Sequence, residues 1–194
     1  MVKARRCGWC GDDPLYVAYH DREWGMPERD PTVLFERLVL EGMQAGLSWL
    51  TILNKRENMR ERFFAFDPAR LAAAGEAEVA AWLNDPGIIR HRGKLEAMIS
   101  NARAYLRQGD FSNLLWSAVG GAPRQNRWRH LGDVPSQTGE SRDLARMLKS
   151  AGFGFVGPTT CYAFMQSAGL VNDHLVSCPA HQRCADAWTA LCGG

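Results

Sequence analysis

The chain has 194 residues, of which 46% are hydrophobic, and its 23 Lys and Arg residues against 21 Asp and Glu leave a net charge of +2. That balance excludes a histone-like protein held to nucleic acid by its overall field, so any such contact must come from a local basic patch. A chain of this length buries roughly 70% of its unfolded surface and needs no disulfide scaffold, and it offers no apolar run of about 18 residues to cross a membrane.

The basic start, Met1 to Arg6, runs into Cys7-Gly8-Trp9 with no apolar stretch behind it, so no signal peptide is expected and a bacterial-type cytoplasmic location follows. Helical signals then dominate. From Pro31 to Glu41, Leu34, Phe35, Leu38 and Val39 recur at helical spacing, with Asp30 as N-cap and proline in the first turn. Gly42 and Gly46 loosen this element, and Ser48 caps a following helix over Trp49 to Lys55. Asp67-Pro68 opens a helix through Leu71 that closes near Gly75, and Glu76 to Asn84 is the next. Arg92 to Leu106 sets Leu95, Met98, Ile99, Ala102 and Leu106 on one stripe. The polar, proline-bearing stretch from Gly120 to Gly139 reads as a loop or weakly ordered region. Ser141 to Ala151 is amphipathic and stops at Gly152, while Thr159 to Ala168 is apolar almost throughout and is expected to be buried. Long alternating strand patterns and internal repeats are absent, so the expected fold class is all-α with many short helices.

Between two of these helices lies Asn84-Asp85-Pro86-Gly87-Ile88-Ile89-Arg90-His91-Arg92-Gly93-Lys94. Two glycines bracket a short apolar-then-basic turn that can aim backbone N–H groups and a helix start at a phosphate, with Arg90, Arg92 and Lys94 adding charge and Ile88 and Ile89 pinning the turn to the core. A plain interhelical turn with solvated charges fits these residues equally well. The run Arg124 to His130 is a second, weaker basic patch that reads as a solvated loop.

Five of the six cysteines lie at the two chain ends, Cys161 being the exception. Without a signal sequence, such clustering suggests metal before disulfides. Cys7 and His20 at one end and His174 and Cys178 at the other make a two-cysteine, two-histidine set suited to a closed structural zinc site that would fasten the N-terminal arm to the C-terminal segment. Cys7-Gly8-Trp9-Cys10 with His181 and Cys184 is a rival set, and small buried thiols are the plain alternative. Trp9, Tyr16, Tyr19, Trp24 and Trp49 accompany one acid, Glu41, inside an apolar helix. That carboxylate either lines a polar pocket or sits on the solvent rim of its helix.

Taken in order, these segments resemble the DNA-3-methyladenine glycosylase I family. The resemblance rests on Cys7-Gly8-Trp9, Asp13-Pro14-Leu15-Tyr16, Tyr19-His20-Asp21, Glu23-Trp24-Gly25, Leu40-Glu41-Gly42, Gln44 to Trp49, Lys55 to Asn58, and Gly87 to Lys94. It continues through Gly152-Phe153, Phe155-Val156-Gly157, Cys161-Tyr162, Phe164-Met165-Gln166 and Gly169 to His174, spanning about residues 6 to 178. Many motifs in the right order are more specific than any one of them.

The resemblance implies a helix-hairpin-helix DNA glycosylase fold in one domain, residues 1–194, with two helical lobes and a tail from Pro179 to Gly194 of uncertain order. It implies one structural zinc on Cys7, His20, His174 and Cys178, with no organic cofactor. It implies hydrolysis of the N-glycosidic bond of 3-methyladenine in double-stranded DNA, leaving an abasic site; no membrane partner is expected, and a monomer is the default expectation. The family pocket maps to Glu41 as the base-recognition and candidate catalytic residue, with Trp9, Tyr16, Tyr19 and Trp49 binding the base. Gly87, Ile88, Ile89, Arg90, His91, Arg92, Gly93 and Lys94 would hold the DNA backbone. The alternatives are a zinc-stabilised helix-hairpin-helix module that binds alkylated DNA without cutting it, and a zinc hydrolase, which needs an open metal position.

Overall fold

The computed structural model describes residues 6–192; the basic start at residues 1–5 and the last two glycines lie outside them. The described residues form ten α-helices and one very small sheet. In chain order the helices are α1 (Pro14–Arg22), α2 (Pro31–Gln44), α3 (Trp49–Arg62), α4 (Pro68–Ala73), α5 (Glu76–Leu83), α6 (Arg92–Leu106), α7 (Phe111–Ser117), α8 (Gly139–Ser150), α9 (Pro158–Ser167) and α10 (Pro179–Cys192). The two strands, β1 (Arg124–Gln125) and β2 (Val171–Asn172), pair in parallel. The fold is therefore mostly helical, with a two-residue ladder where a purely helical class was expected.

One device starts three of the helices. An aspartate followed by proline caps α1, α2 and α4: Asp13 accepts from Leu15 and Tyr16, Asp30 from Thr32 and Val33, and Asp67 from Arg70. Proline's missing N–H falls where a helix has none to satisfy, and the carboxylate takes up the donors that follow. Helix α2 runs through Gly42, where the backbone lies close to Phe155: a Cβ there would lie 3.4 Å from the Phe155 Cβ. Helix α3 runs past Lys55 on polar residues that ion pairs hold, Arg56 to Glu23 at 2.6 Å and Arg60 to Glu36 at 2.7 Å.

The core is continuous from Leu34 to Val171, with α4 on α6, α8 on α9 and α2 on α9 as the main packings. As expected, α9 is largely buried. The stretch from Gly120 to Gly139 is mostly irregular, yet it is tied down: β1 pairs with β2, and the Asn126 amide and Trp128 indole donate to Asp173 at 2.6 and 2.7 Å. The tail is ordered as well. Ala180 and Cys184 of α10 are buried, and Trp188 stacks on Trp116 at 5.2 Å under the Arg29 guanidinium.

Gly169 turns the chain from α9 into β2 at φ 72°, and a Cβ there would lie 2.5 Å from backbone atoms of Met26 and Pro27. Left-handed strain and overpacking against backbone then add. Gly169→Ala should cost on the order of 3 kcal/mol, to be read from denaturant unfolding; a loss under about 1 kcal/mol, the size of an ordinary surface change, would contradict this packing.

Candidate active site

A cavity of about 250 Å³ opens between α1, α2, the start of α3 and the α9–β2 region. That is just below the roughly 300–1,000 Å³ of pockets for drug-sized ligands, a size suited to one small ring system. Glu41 and the four aromatic residues that the resemblance sets around the base, Trp9, Tyr16, Tyr19 and Trp49, line it. Trp9 packs on Tyr16 at 5.1 Å between ring centroids, and Tyr19 on Trp49 at 5.3 Å. Trp24, Gln44, Gln166 and Asp173 also line the cavity, with Leu131 and Val134 from the loop before α8. The Asp173 carboxylate is buried and accepts four hydrogen bonds, from Asn126, Trp128, Tyr162 and Gln166, over 2.6 to 2.8 Å. It thereby joins the loop to α9, so that Leu131 and Val134 are held over the cavity.

Glu41 is 4% exposed, so it is not on the rim of its helix. Burial pushes its carboxyl up to about 8, against the smaller opposing effects of the Ser167 hydroxyl and the Arg37 charge. Burial likewise raises the Tyr16 and Tyr19 hydroxyls. The folded protein therefore holds the Glu41 proton more tightly than the unfolded chain does. This group's contribution to stability is fully present below about 4.5 and is lost as pH rises through about 8. Glu41→Gln, which removes the titration and keeps the shape, should gain in melting temperature over the wild type across that window and hold a constant difference above it. A difference that is the same at both ends of the window would show that Glu41 is not buried as described.

Behind this pocket the segment from Cys7 through α1 meets the segment between β2 and α10. The ligand atoms of Cys7, His20, His174 and Cys178 all lie within 4.8 Å of one another, and all four residues are buried. Each histidine is oriented from its far side. His20 Nδ1 is 2.8 Å from the Asp21 carboxylate, and His174 Nε2 is 2.9 Å from the Trp24 carbonyl, which turns His20 Nε2 and His174 Nδ1 toward the sulfurs. The Cys178 thiol is pulled well below its ordinary value, first by its hydrogen bond with Cys7 and then by those with His174 and His20. Such a set could hold a metal ion. The rival residues face elsewhere: the Cys10 thiol donates to the Cys7 carbonyl, His181 pairs with the Asn126 carbonyl, and Cys184 lies against Trp24 and Met26. Trp9 and Trp24 belong to both places, since Trp9 packs on His20 at 5.2 Å and Trp24 on His174 at 4.6 Å.

The segment between α5 and α6 is a tight turn. Asp85 accepts from the Gly87 N–H at 2.7 Å, and His91 caps α6 by accepting from the Lys94 N–H at 3.2 Å. A side chain at position 87 would run into Asn58. Ile88 and Ile89 are buried in the core, as the sequence leads one to expect, while Arg90, His91 and Arg92 are exposed. Arg92 pairs with Glu76 at 2.8 Å. Lys94 is different: it is 7% exposed, and its ammonium donates to the Met43 and Ala45 carbonyls at 2.8 and 2.6 Å. Its charge closes the end of α2 and fixes the turn against the helix that carries Glu41.

Residues 9–181 match the methyladenine glycosylase family. The DNA-3-methyladenine glycosylase 1 of Escherichia coli is 52% identical over 177 residues, which cover 89% of this chain and 95% of that protein. A crystal structure of a 3-methyladenine DNA glycosylase I superposes with a TM-score of 0.89 at 52% identity, covering 90% of this chain and 98% of the other. A second crystal structure, of a variant 3-methyladenine DNA glycosylase I in complex with 3-methyladenine, superposes with a TM-score of 0.88 at 39% identity, over 90% of this chain and 96% of that one. No helix among the described residues is long and apolar enough to cross a membrane.

Proposed function

This chain belongs to the methyladenine glycosylase family, and we infer from that membership and from the pocket that it is a DNA-3-methyladenine glycosylase. It hydrolyses the N-glycosidic bond of 3-methyladenine in alkylated DNA, releasing the free base and leaving an abasic site. The observation that carries this reading is the buried Glu41 among five aromatic side chains in a cavity the size of one base.

A base stacked inside a duplex is out of reach, so the nucleotide must be turned out into a pocket, at a cost of a few kcal/mol that is smaller at damaged sites. Methylation leaves the adenine with a fixed positive charge. An aromatic face attracts that charge; Trp49 supplies the face, while Trp9 and Tyr19 close the walls. Glu41 and Tyr16 take the polar edge of the base. Burial keeps Glu41 neutral in the empty pocket near neutral pH; a cationic base beside it favours the carboxylate, and the proton leaves to solvent. The base departs as a neutral molecule, so the reaction asks little of a general acid. Water attacks the anomeric carbon, and no lysine nucleophile is needed, which makes the enzyme monofunctional.

The turn between α5 and α6 is read as the hairpin of a helix-hairpin-helix element in a single glycosylase domain. Gly87 and Gly93 let its backbone approach a phosphate of double-stranded DNA, Ile88 and Ile89 anchor it, and Arg90, His91 and Arg92 supply exposed polar and basic groups. Lys94 contributes by holding the hairpin in place.

Cys7, His20, His174 and Cys178 are assigned to one zinc ion. With Zn–S near about 2.3 Å and Zn–N near about 2.0–2.1 Å, a regular tetrahedron has sulfur-to-nitrogen edges of roughly 3.6 Å. Three of the four such separations are 3.6 Å from Cys7 to His174, 3.6 Å from Cys178 to His20 and 3.8 Å from Cys178 to His174, and all four ligand atoms lie within 4.8 Å of one another. Four protein ligands leave no open position, so the ion's contribution is a crosslink between the chain ends, and a zinc hydrolase is disfavoured.

Purified protein incubated with duplex DNA treated with a methylating agent should release 3-methyladenine and leave unbroken strands with abasic sites. Tight binding of the alkylated duplex with no free base would instead make the protein a damage-binding module.

A further inference from the structure

We propose that Phe155 is a second DNA-contacting element, an aromatic wedge that packs against the deoxyribose and base edge of the duplex beside the nucleotides held by the hairpin. This rests on the DNA glycosylase reading and adds a contact that neither the base pocket nor the hairpin contains. Phe155 lies in the turn between α8 and α9 with φ at 54°, the left-handed region that strains any residue bearing a Cβ. The residue is 41% exposed. The two features together need a reason, because an exposed ring returns little burial to offset the strain.

The conformation is enforced from both sides. Asn101 is buried and spends its whole amide on Gly154: its NH₂ donates to the Gly154 carbonyl at 3.2 Å, and its oxygen accepts from the Gly154 N–H at 2.7 Å. Phe153 and Val156 are both buried in the core. Residues on either side of Phe155 are thus anchored, and the phenyl ring between them is pushed outward. Strain that surrounding structure over-determines clusters at functional sites.

The ring's position gives the function. Its centroid is 6.2 Å from the ring of His91, edge to face, and its Cβ packs over Gly42, the residue after Glu41. Phe155 therefore stands at the junction of the hairpin and the helix that carries the base-recognition carboxyl. A duplex whose phosphates rest on the hairpin beside His91 would meet this exposed side chain. Apolar side chains at such junctions unstack or brace the neighbouring base step, and aromatic faces do so without regard to sequence.

Phe155→Gly and Phe155→Asn both accept the left-handed conformation and remove the ring, while Phe155→Leu keeps apolar bulk. Each would be measured for binding to a duplex carrying a tetrahydrofuran abasic-site analogue, for binding of free 3-methyladenine, and for melting temperature. The glycine and asparagine variants should bind the duplex about tenfold more weakly, bind free 3-methyladenine as the wild type does, and melt no lower than it. The leucine variant should retain most of the duplex affinity. Unchanged duplex affinity in the glycine and asparagine variants would overturn the assignment, as would a joint fall in melting temperature and free-base affinity, which marks a packing residue. A wild type that releases no base from methylated DNA would instead sink the glycosylase reading itself.

Discussion

Glu41→Gln should slow release of 3-methyladenine from methylated duplex DNA by about 10²-fold, the size of the loss when one preorganised polar group of an active site is removed. The reason is electrostatic. The damaged nucleotide carries a fixed positive charge, and Glu41 is buried with few competing partners, so a carboxylate formed there faces the base in a low dielectric. Glutamine keeps a hydrogen-bonding oxygen but not the charge. The same argument fixes a pH dependence. In the empty pocket the carboxyl titrates at about 8, and the cationic nucleotide binds its ionised form more tightly. Affinity for that nucleotide should rise with pH up to about 8 and then level off, whereas the glutamine variant should show no such rise. Single-turnover excision across this range reads both effects. A glutamine variant with wild-type rates, or one that keeps the pH-dependent rise, would remove Glu41 from its role.

Loss of one of the four residues assigned to the metal is expected to have the second large effect. Cys178→Ser replaces a sulfur that lies 3.6 Å from His20 and 3.8 Å from His174. Removal of a structural metal belongs to the short list of changes that cost more than about 4 kcal/mol, which for a chain of this size lowers the melting temperature on the order of 10 °C. The damage should reach the pocket, because Trp9 and Trp24 line the cavity and also pack on the histidine rings. Zinc content, melting temperature and affinity for 3-methyladenine should therefore fall together in Cys178→Ser, and a strong chelator should reproduce the effect. Cys10→Ser should leave all three near wild type, since that thiol points to the Cys7 carbonyl. A Cys178→Ser protein with full zinc and an unchanged melting temperature would contradict the ligand set.

Much of this was legible in local sequence. The Asp-Pro signature announced α2 and α4, and the apolar stripe from Leu95 to Leu106 announced α6 with its observed bounds. The same signature stands at Asp13-Pro14, where it caps α1, so that helix was within reach of the same rule. Helix α10 was not, because its order comes from Trp188 on Trp116 and from the buried Cys184, contacts between distant parts of the chain. The site divides in the same way. Residue types and family order brought Glu41 to Trp9, Tyr16, Tyr19 and Trp49, but periodicity could not tell a buried Glu41 from a rim residue. The roles of Asp173 and Lys94 were hidden for a related reason. Spacing does not reveal that four donors converge on one, or that the other's ammonium is turned onto the carbonyls at the end of α2.

The central claim is that the cavity beside Glu41 receives the damaged base, and titration of free 3-methyladenine into the wild-type protein tests it most directly, with side-chain NMR signals of the tryptophans as the readout. The indole signals of Trp9 and Trp49 should shift saturably while that of Trp116, stacked under Trp188 in the core, stays fixed. Saturable binding that leaves Trp9 and Trp49 unmoved would place the base elsewhere and contradict the account.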